Sequence, residues 1–173
     1  LALIQMRMTL DIQNNLDHTA ELITQAKDLG ADLICLPELF TSQYFAQIEI
    51  EQNFQYAEPM PGPISKFLKK QAQTAQVAIL GGSFYEKSPE GKYYNTSLII
   101  DKTGKIQAKY RKMHIPQDPN YYERYYFTPG NLGYVNAQID HFNVAPLICY
   151  DQWFPEPARI LALRGVQVIC YPT

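Results

Sequence analysis

Residues 31–36, with the sequence ADLICL, are followed directly by Pro37 and Glu38. A continuous apolar run of this length is typical of a buried strand that is covered on both faces of its sheet. Proline cannot donate a ladder hydrogen bond, so the strand is predicted to end before Pro37 and to leave Glu38 just past its carboxyl end. Apolar residues at helical spacing precede the strand over 14–29, and Gly30 ends that helix. This helix–strand unit indicates an α/β protein.

The rest of the chain continues the alternation, with a hairpin in the middle. Asp101-Lys-Thr-Gly104 is a turn sequence between two strand-like runs. Gly81 and Gly82 interrupt another such run and indicate a bulge or a close approach of backbones. The pattern predicts a mixed sheet with helical cover. The predicted elements are strands 1–6, 31–36, 77–85, 94–100, 105–110, 142–149 and 166–171, and helices 14–29, 64–75 and 155–163.

Residues 113–133 are predicted to form one long loop that is rich in proline and tyrosine. A loop of this length in a compact domain is usually functional or disordered. Disordered segments contain few aromatic residues, so the tyrosines favour an ordered, functional loop.

Composition excludes several classes of protein. A hydrophobic fraction of 46% over 173 residues is sufficient for one domain with a core. A net charge of −2, without a lysine or arginine run, argues against a nucleic-acid partner. No apolar run approaches the roughly 20 residues of a membrane span. Three widely spaced cysteines form neither a disulfide framework nor a zinc motif, which predicts reduced thiols in a cytoplasmic protein.

Three ionisable residues share one topological position, at or just after the carboxyl end of a predicted strand: Glu38, Lys112 and Cys149. Open sheets collect ligand sites at these ends, so the three side chains are predicted to converge. A carboxylate can take the proton of a thiol, and an ammonium can stabilise the oxyanion that forms when the thiolate attacks a carbonyl. Taken singly, each residue is more often a core or surface residue than a catalytic one.

The sequence around each of these residues resembles the nitrilase superfamily of carbon–nitrogen hydrolases. The matching blocks are LPELF at 36–40, YRKMH at 110–114 and ICYD at 148–151, in the order found in that superfamily. Three independent blocks are far more specific than one short motif. The resemblance covers essentially the whole chain and implies a four-layer αββα sandwich.

The resemblance also implies a role for each site residue. Glu38 would be the general base, Lys112 would stabilise the tetrahedral intermediate, and Cys149 would be the acylated nucleophile. Glu123 matches a second glutamate that orients the substrate and the lysine. The backbone N–H of Tyr150 would complete the oxyanion hole. Neither a metal nor an organic cofactor is implied.

Within the superfamily, residues 114–123 and 149–156 most resemble the branch that hydrolyses N-carbamoylputrescine to putrescine, carbon dioxide and ammonia, a step of polyamine synthesis. The cationic tail of this small-molecule substrate would suit a wall of aromatic side chains. The candidates are Tyr121, Tyr122, Tyr150 and Trp153. The alternative substrates are an N-carbamoyl amino acid and β-ureidopropionate, whose carboxylate should need an arginine clamp. Arg124, Arg159 and Arg164 leave that alternative open.

Members of the superfamily are longer than this chain. We therefore expect residues 1–173 to be a carbon–nitrogen hydrolase domain that is incomplete at its C-terminus, and the full-length protein to be a homo-oligomer. An alternative of another class is a truncated, non-catalytic interaction subunit. Retention of all the catalytic positions argues against that alternative.

Overall fold

A computed structural model describes residues 1–173, which form nine strands and four α-helices. Short 3-10 helices cover Phe45–Gln47, Glu51–Tyr56 and Cys149–Trp153. None of the helices has the length and apolar character needed to cross a membrane. The elements in chain order are β1 (Ala2–Leu3), α1 (Ile12–Asp28), β2 (Leu33–Cys35), α2 (Pro63–Ala75), β3 (Ala78–Leu80), β4 (Phe84–Lys87), β5 (Tyr93–Ile100), β6 (Ile106–Arg111), α3 (Glu123–Tyr126), β7 (Ala137–Ile139), β8 (Phe142–Pro146), α4 (Pro155–Leu163) and β9 (Val168–Cys170).

The larger sheet is mixed, as predicted. β2 runs parallel to β1 on one side and to β3 on the other. β3 and β4 both pair antiparallel with β5 along one edge, and β6 pairs with its opposite edge. The predicted hairpin is present, because Asp101 accepts hydrogen bonds from the backbone of Thr103 and Lys105 between β5 and β6.

Side chains of the larger sheet alternate between two apolar layers, which is why β2 is apolar throughout. Ile34 and Leu36 pack with Ile23 of α1 and Leu68 of α2. On the other face, Leu33 and Cys35 lie in a second cluster with residues of the smaller sheet, namely Ala137, Ile139, Val144 and Cys170. Both faces of β2 are therefore excluded from water.

The smaller sheet supplies the third layer and α4 the fourth. β8 pairs antiparallel with β7 and parallel with β9. Val144 faces the larger sheet, whereas the next residue, Ala145, packs with Leu161 of α4. The order helices, sheet, sheet, helix is the αββα layering that the resemblance to the nitrilase superfamily implied.

Several predicted elements were wrong in their bounds. The strands predicted over 1–6, 31–36 and 166–171 are shorter, covering Ala2–Leu3, Leu33–Cys35 and Val168–Cys170. The first helix begins at Ile12, capped by the side chain of Asp11. The single strand predicted over 77–85 is two strands, because the chain bends at Gly82 with φ +52°. The strand predicted over 142–149 ends at Pro146, and β7 was not predicted. The predicted loop 113–133 contains the short helix α3, which was not predicted either.

The bend at Gly82 brings the chain against the segment that carries Glu38. A Cβ atom on Gly82 would lie 2.0 Å from the carbonyl oxygen of Pro37, so only glycine fits. The next residue, Ser83, donates its N–H to Pro37 O and accepts the Leu39 N–H at Oγ. Hydrogen bonds on both sides of Glu38 therefore fix its backbone.

Candidate active site

Lys112 follows β6, and its side chain is completely buried. The ammonium Nζ lies 2.9 Å from Glu38 Oε1 and 3.0 and 2.7 Å from the two carboxylate oxygens of Glu123. An ammonium has three N–H donors, and these three acceptors match them. Burial by itself would lower the pKa of Lys112, but the charges of Glu38 and Glu123 outweigh burial and raise it. Lys112 is therefore charged in the folded protein.

Glu38 sits just past the end of β2, and only 6% of its side chain is exposed. Its Oε1 atom accepts the Lys112 contact and a second hydrogen bond of 2.8 Å from Asn95 Nδ2. Asn95 projects from the middle of the larger sheet, in β5. The carboxylate is therefore held from two sides.

Glu123 opens the one-turn helix α3 and is fully buried. It accepts a hydrogen bond of 2.8 Å from the Tyr44 hydroxyl as well as the two from Lys112. Burial and then the charge of Glu38 raise the pKa of Glu123 to about 7, and Lys112 and Tyr44 oppose that rise. The two carboxylates repel each other, and the single ammonium of Lys112 compensates only part of their negative charge.

An aromatic cluster holds α3 in place and explains part of the high tyrosine content of the loop 113–133. The Phe45 ring lies edge-on to Tyr126 at 5.0 Å between centroids, and Tyr85 meets Phe127 at 4.9 Å. The Tyr126 hydroxyl donates to Ile48 O at 2.6 Å. The loop after β6 is therefore ordered against the segment 45–56, as the sequence predicted for an aromatic loop.

Cys149 has a left-handed backbone with φ +43°, a conformation that non-glycine residues rarely adopt. Its N–H donates to Pro172 O at 2.9 Å. The thiol is partly buried, and burial followed by the charge of Glu38 raises its pKa to about 12, while Lys112 opposes the rise. A thiol in this state needs a base to become a nucleophile, and Glu38 is the adjacent carboxylate.

A cavity of about 270 Å³ opens onto Glu38 and Cys149, and Tyr44 and Tyr121 form part of its wall. No lysine, arginine or histidine is among the residues that line it. Of the four aromatic residues predicted to contact substrate, Tyr121 lies at this cavity. The lining does not include the other three, which are Tyr122, Tyr150 and Trp153. No group of three or more His, Cys, Asp or Glu side chains is arranged to hold a metal ion.

The structure thus brings four predicted residues into one connected site, namely Glu38, Lys112, Glu123 and Cys149. The profile of the protein family described as "Carbon-nitrogen hydrolase" matches residues 1–173.

The chain belongs to the carbon-nitrogen hydrolase family.

Two curated relatives illustrate where this carbon-nitrogen hydrolase lies in its family. It is 38% identical to the N-carbamoylputrescine amidase of Solanum lycopersicum over 174 aligned residues, covering all of this chain and 57% of the relative. It is 36% identical to the citrullinase of Francisella tularensis, covering all of this chain and 60% of the relative. The chain therefore spans somewhat more than half the length of these relatives.

A solved structure of the family has the same fold. The carbon-nitrogen hydrolase from Helicobacter pylori G27 superposes with a TM-score of 0.93 at 36% sequence identity, covering 99% of this chain and 59% of that one. The predicted membership of the nitrilase superfamily, and its fold, are confirmed.

Two residues of the site were not found in the sequence of this carbon-nitrogen hydrolase. Tyr44 lies in an irregular segment without periodicity, so nothing local indicated that its hydroxyl would reach Glu123. Asn95 did leave a signal, because an amide side chain within a buried strand must find a partner. That partner, Glu38, lies 57 residues away in sequence and could not be named from spacing.

Proposed function

We propose that this protein hydrolyses N-carbamoylputrescine to putrescine, carbon dioxide and ammonia. The observation that carries the proposal is the contact of the Lys112 ammonium with the carboxylates of Glu38 and Glu123, directly behind a cavity that is lined by Glu38 and Cys149. A base and a nucleophile at one cavity, with a fixed cation in contact with the base, are what acyl transfer to a thiol requires.

In the first half of the reaction, Glu38 takes the proton of the Cys149 thiol while the sulfur attacks the carbamoyl carbon. The oxyanion that forms is stabilised by Lys112 and by the backbone N–H of Tyr150, and such donors contribute about 3 kcal/mol each. The C–N bond to the tail breaks, and Glu38 returns the proton to the departing nitrogen. Putrescine leaves, and a carbamoyl thioester remains on Cys149.

In the second half, water attacks the thioester carbon and gives a proton to Glu38. The C–S bond breaks, the thiol recovers its proton, and carbamic acid leaves and decomposes to carbon dioxide and ammonia. Glu123 holds Lys112 in place throughout and supplies negative charge near the cationic tail. No redox partner is needed, because every step is proton or acyl transfer.

The substrate assignment depends on charge. The cavity has Tyr44 and Tyr121 in its wall, has Glu38 at its surface, and is lined by no cationic side chain. An ammonium-ended tail suits this surface through contact with aromatic rings and attraction to acids. The name of the tomato relative supports the same substrate.

Citrulline is the second candidate, because it differs from N-carbamoylputrescine by one carboxylate and is named by the Francisella relative. Its carboxylate would need a cationic partner. Arg124 and Arg164 instead donate to the backbone oxygens of Ile115 and Tyr134. The third candidate, Arg159, is not among the residues that line the cavity. Within the described residues, the geometry therefore favours the substrate without the carboxylate.

The test is ammonia release by the full-length protein from N-carbamoylputrescine and from citrulline at equal concentration. We expect turnover of the first, its loss in Cys149→Ala, and its retention in Cys170→Ala. Cys170 is the matched control because it is a buried core cysteine away from the cavity. Preference for citrulline would overturn the substrate and keep the chemistry. A Cys149→Ala variant with normal turnover would overturn both.

Three further interpretations stay predictions. Residues 1–173 are expected to form part of one hydrolase domain, the full-length protein to assemble as a homo-oligomer, and the enzyme to act in the cytoplasm. Light scattering of the purified full-length protein measures the second directly.

A further inference from the structure

One buried carboxylate outside the reacting groups collects hydrogen bonds from three places in the chain. Asp151 is fully buried, and its Oδ2 atom accepts from the Tyr110 hydroxyl at 2.7 Å and from Ile148 N–H at 2.9 Å. Its Oδ1 atom accepts from the His114 backbone N–H at 3.1 Å and lies 2.7 Å from His114 Nδ1. A carboxylate with four polar neighbours is held rigidly and holds each of them in turn.

The sequence positions of these partners give the contacts their meaning. Tyr110 and His114 lie two residues before and two residues after Lys112, while Ile148 directly precedes Cys149. Asp151 therefore ties both flanks of the lysine to the turn that carries the thiol. Tyr110 lies in β6 of the larger sheet and Lys112 directly follows that strand, whereas Ile148 lies just past β8 of the smaller sheet.

We propose that Asp151 is a positioning residue that fixes the Cys149 sulfur relative to Lys112 and Glu38 by bridging the ends of the two sheets. This inference rests on the proposed function of those three residues. It assigns Asp151 no contact with substrate.

The backbone of Cys149 shows why such a bridge is needed. A non-glycine residue with φ +43° is strained and keeps its conformation only when its surroundings impose it. The hydrogen bond from Ile148 N–H to Asp151 and the one from Cys149 N–H to Pro172 O hold the two successive peptide groups that lead into the bend. Without the first, the turn would relax and the sulfur would move.

An aromatic contact covers the bridge on its outer side. The His114 ring stacks on Phe154 at 3.9 Å between centroids, with an angle of 12° between the ring planes. Since an ionised carboxylate only accepts hydrogen bonds, Nδ1 of His114 carries the hydrogen in this contact. His114 therefore donates a hydrogen bond to Asp151 and has no direct role at the reacting atoms.

Asparagine cannot replace Asp151, although it has the same shape. Each carboxylate oxygen accepts one backbone N–H, from Ile148 on one side and from His114 on the other. In either orientation, the NH₂ group of the introduced amide would face a backbone donor. Asp151→Asn therefore breaks the bridge without creating a cavity.

The readout is the rate at which iodoacetamide alkylates Cys149 in the full-length protein, followed by mass spectrometry, together with kcat and KM. Alkylation needs the same proton removal by Glu38 but no substrate. We expect Asp151→Asn to slow alkylation and lower kcat by roughly 10- to 100-fold, as displaced reacting groups do. KM should change less than kcat, because Asp151 itself is not among the residues that line the cavity.

Two further variants keep the test decisive if Asp151→Asn fails to fold. Tyr110→Phe removes one hydroxyl donor from Asp151 and should reproduce a smaller loss of the same kind. Thr96→Val is the matched control, because the Thr96 hydroxyl donates at 2.6 Å to another buried carboxylate, Glu86, away from the cavity. It should leave the alkylation rate and kcat unchanged.

Equal or faster alkylation of Cys149 in folded Asp151→Asn, or an effect of Thr96→Val as large as that of Tyr110→Phe, would overturn the inference. Wild-type protein that turns over neither substrate, yet keeps this order of alkylation rates, would refute the proposed function and support the bridge. The two failures are therefore distinguishable.

Discussion

Replacing Glu123 by glutamine tests the account of charge in the site most directly. Glutamine keeps the shape of the side chain but removes its charge and its titration. In the folded wild-type protein, burial and the neighbouring Glu38 raise the pKa of Glu123 from 4.5 to about 7. A carboxyl group whose pKa is higher in the folded state stabilises the fold less as pH rises from the unfolded to the folded value.

The magnitude follows from the two pKa values. Each unit of pKa difference corresponds to about 1.4 kcal/mol. Between pH 5 and pH 8, wild-type protein should therefore lose roughly 2 to 3 kcal/mol of stability at this one residue. Glu123→Gln does not titrate and loses none of it. Relative to wild type, the variant should become more stable by that amount as the pH rises.

The assay is urea unfolding followed by circular dichroism at pH 5, 6, 7 and 8.

Glu86→Gln is the matched control, because Glu86 is also a buried carboxylate but its pKa is lowered in the folded protein instead of raised. Burial by itself would raise the pKa of Glu86, but hydrogen bonds from Arg111, Lys109 and Thr96 outweigh burial and lower it. Its stabilisation is present above the unfolded pKa and is lost only as pH falls through the lowered value. The cost of Glu86→Gln should therefore stay constant between pH 5 and 8.

A fall in the relative stability of Glu123→Gln with rising pH would refute this reasoning. It would mean that the attraction of Lys112 outweighs burial and holds Glu123 ionised in the folded protein. A flat difference would mean that the two effects cancel.

Two more predictions concern single atoms. Tyr44→Phe removes the hydroxyl that donates to Glu123 and so raises the pKa of Glu123 further; the pH at which this group affects kcat/KM should rise by roughly one unit. Gly82→Ala should cost roughly 3 kcal/mol or more in thermal unfolding, because its Cβ would meet Pro37 O. Gly91→Ala is its control, since φ is also positive there but no atom lies within 4 Å, and about 1 kcal/mol of backbone strain is expected. Equal costs for the two glycines would contradict the contact.

The sequence was informative wherever local chemistry determines structure. Pro37 ended β2 where predicted, and the turn at Asp101–Gly104 closed the hairpin as predicted. The bend at Gly82 escaped prediction because the need for it comes from Pro37, which is distant in sequence. β7 escaped prediction because it is three residues long and contains a single exposed–buried alternation.

The same distinction applies to the candidate site. Site residues that directly follow a predicted strand were found from the sequence. Glu38 follows the strand predicted over 31–36, and Lys112 follows the second strand of the predicted hairpin. Tyr44 was not, since its role depends on an aromatic cluster that assembles only when segment 45–56 packs on α3. Periodicity indicates which face of an element is buried, but it does not indicate which distant polar group will be met there.

The high pKa of Cys149 affects how readily this cysteine is oxidised. Peroxides oxidise thiolates far faster than thiols. Because burial and Glu38 raise the pKa of Cys149 to about 12, nearly all of it carries its proton at neutral pH. The resting protein should therefore resist oxidation of Cys149 by hydrogen peroxide, and this cysteine should become vulnerable only while a bound molecule and Glu38 together draw the proton away.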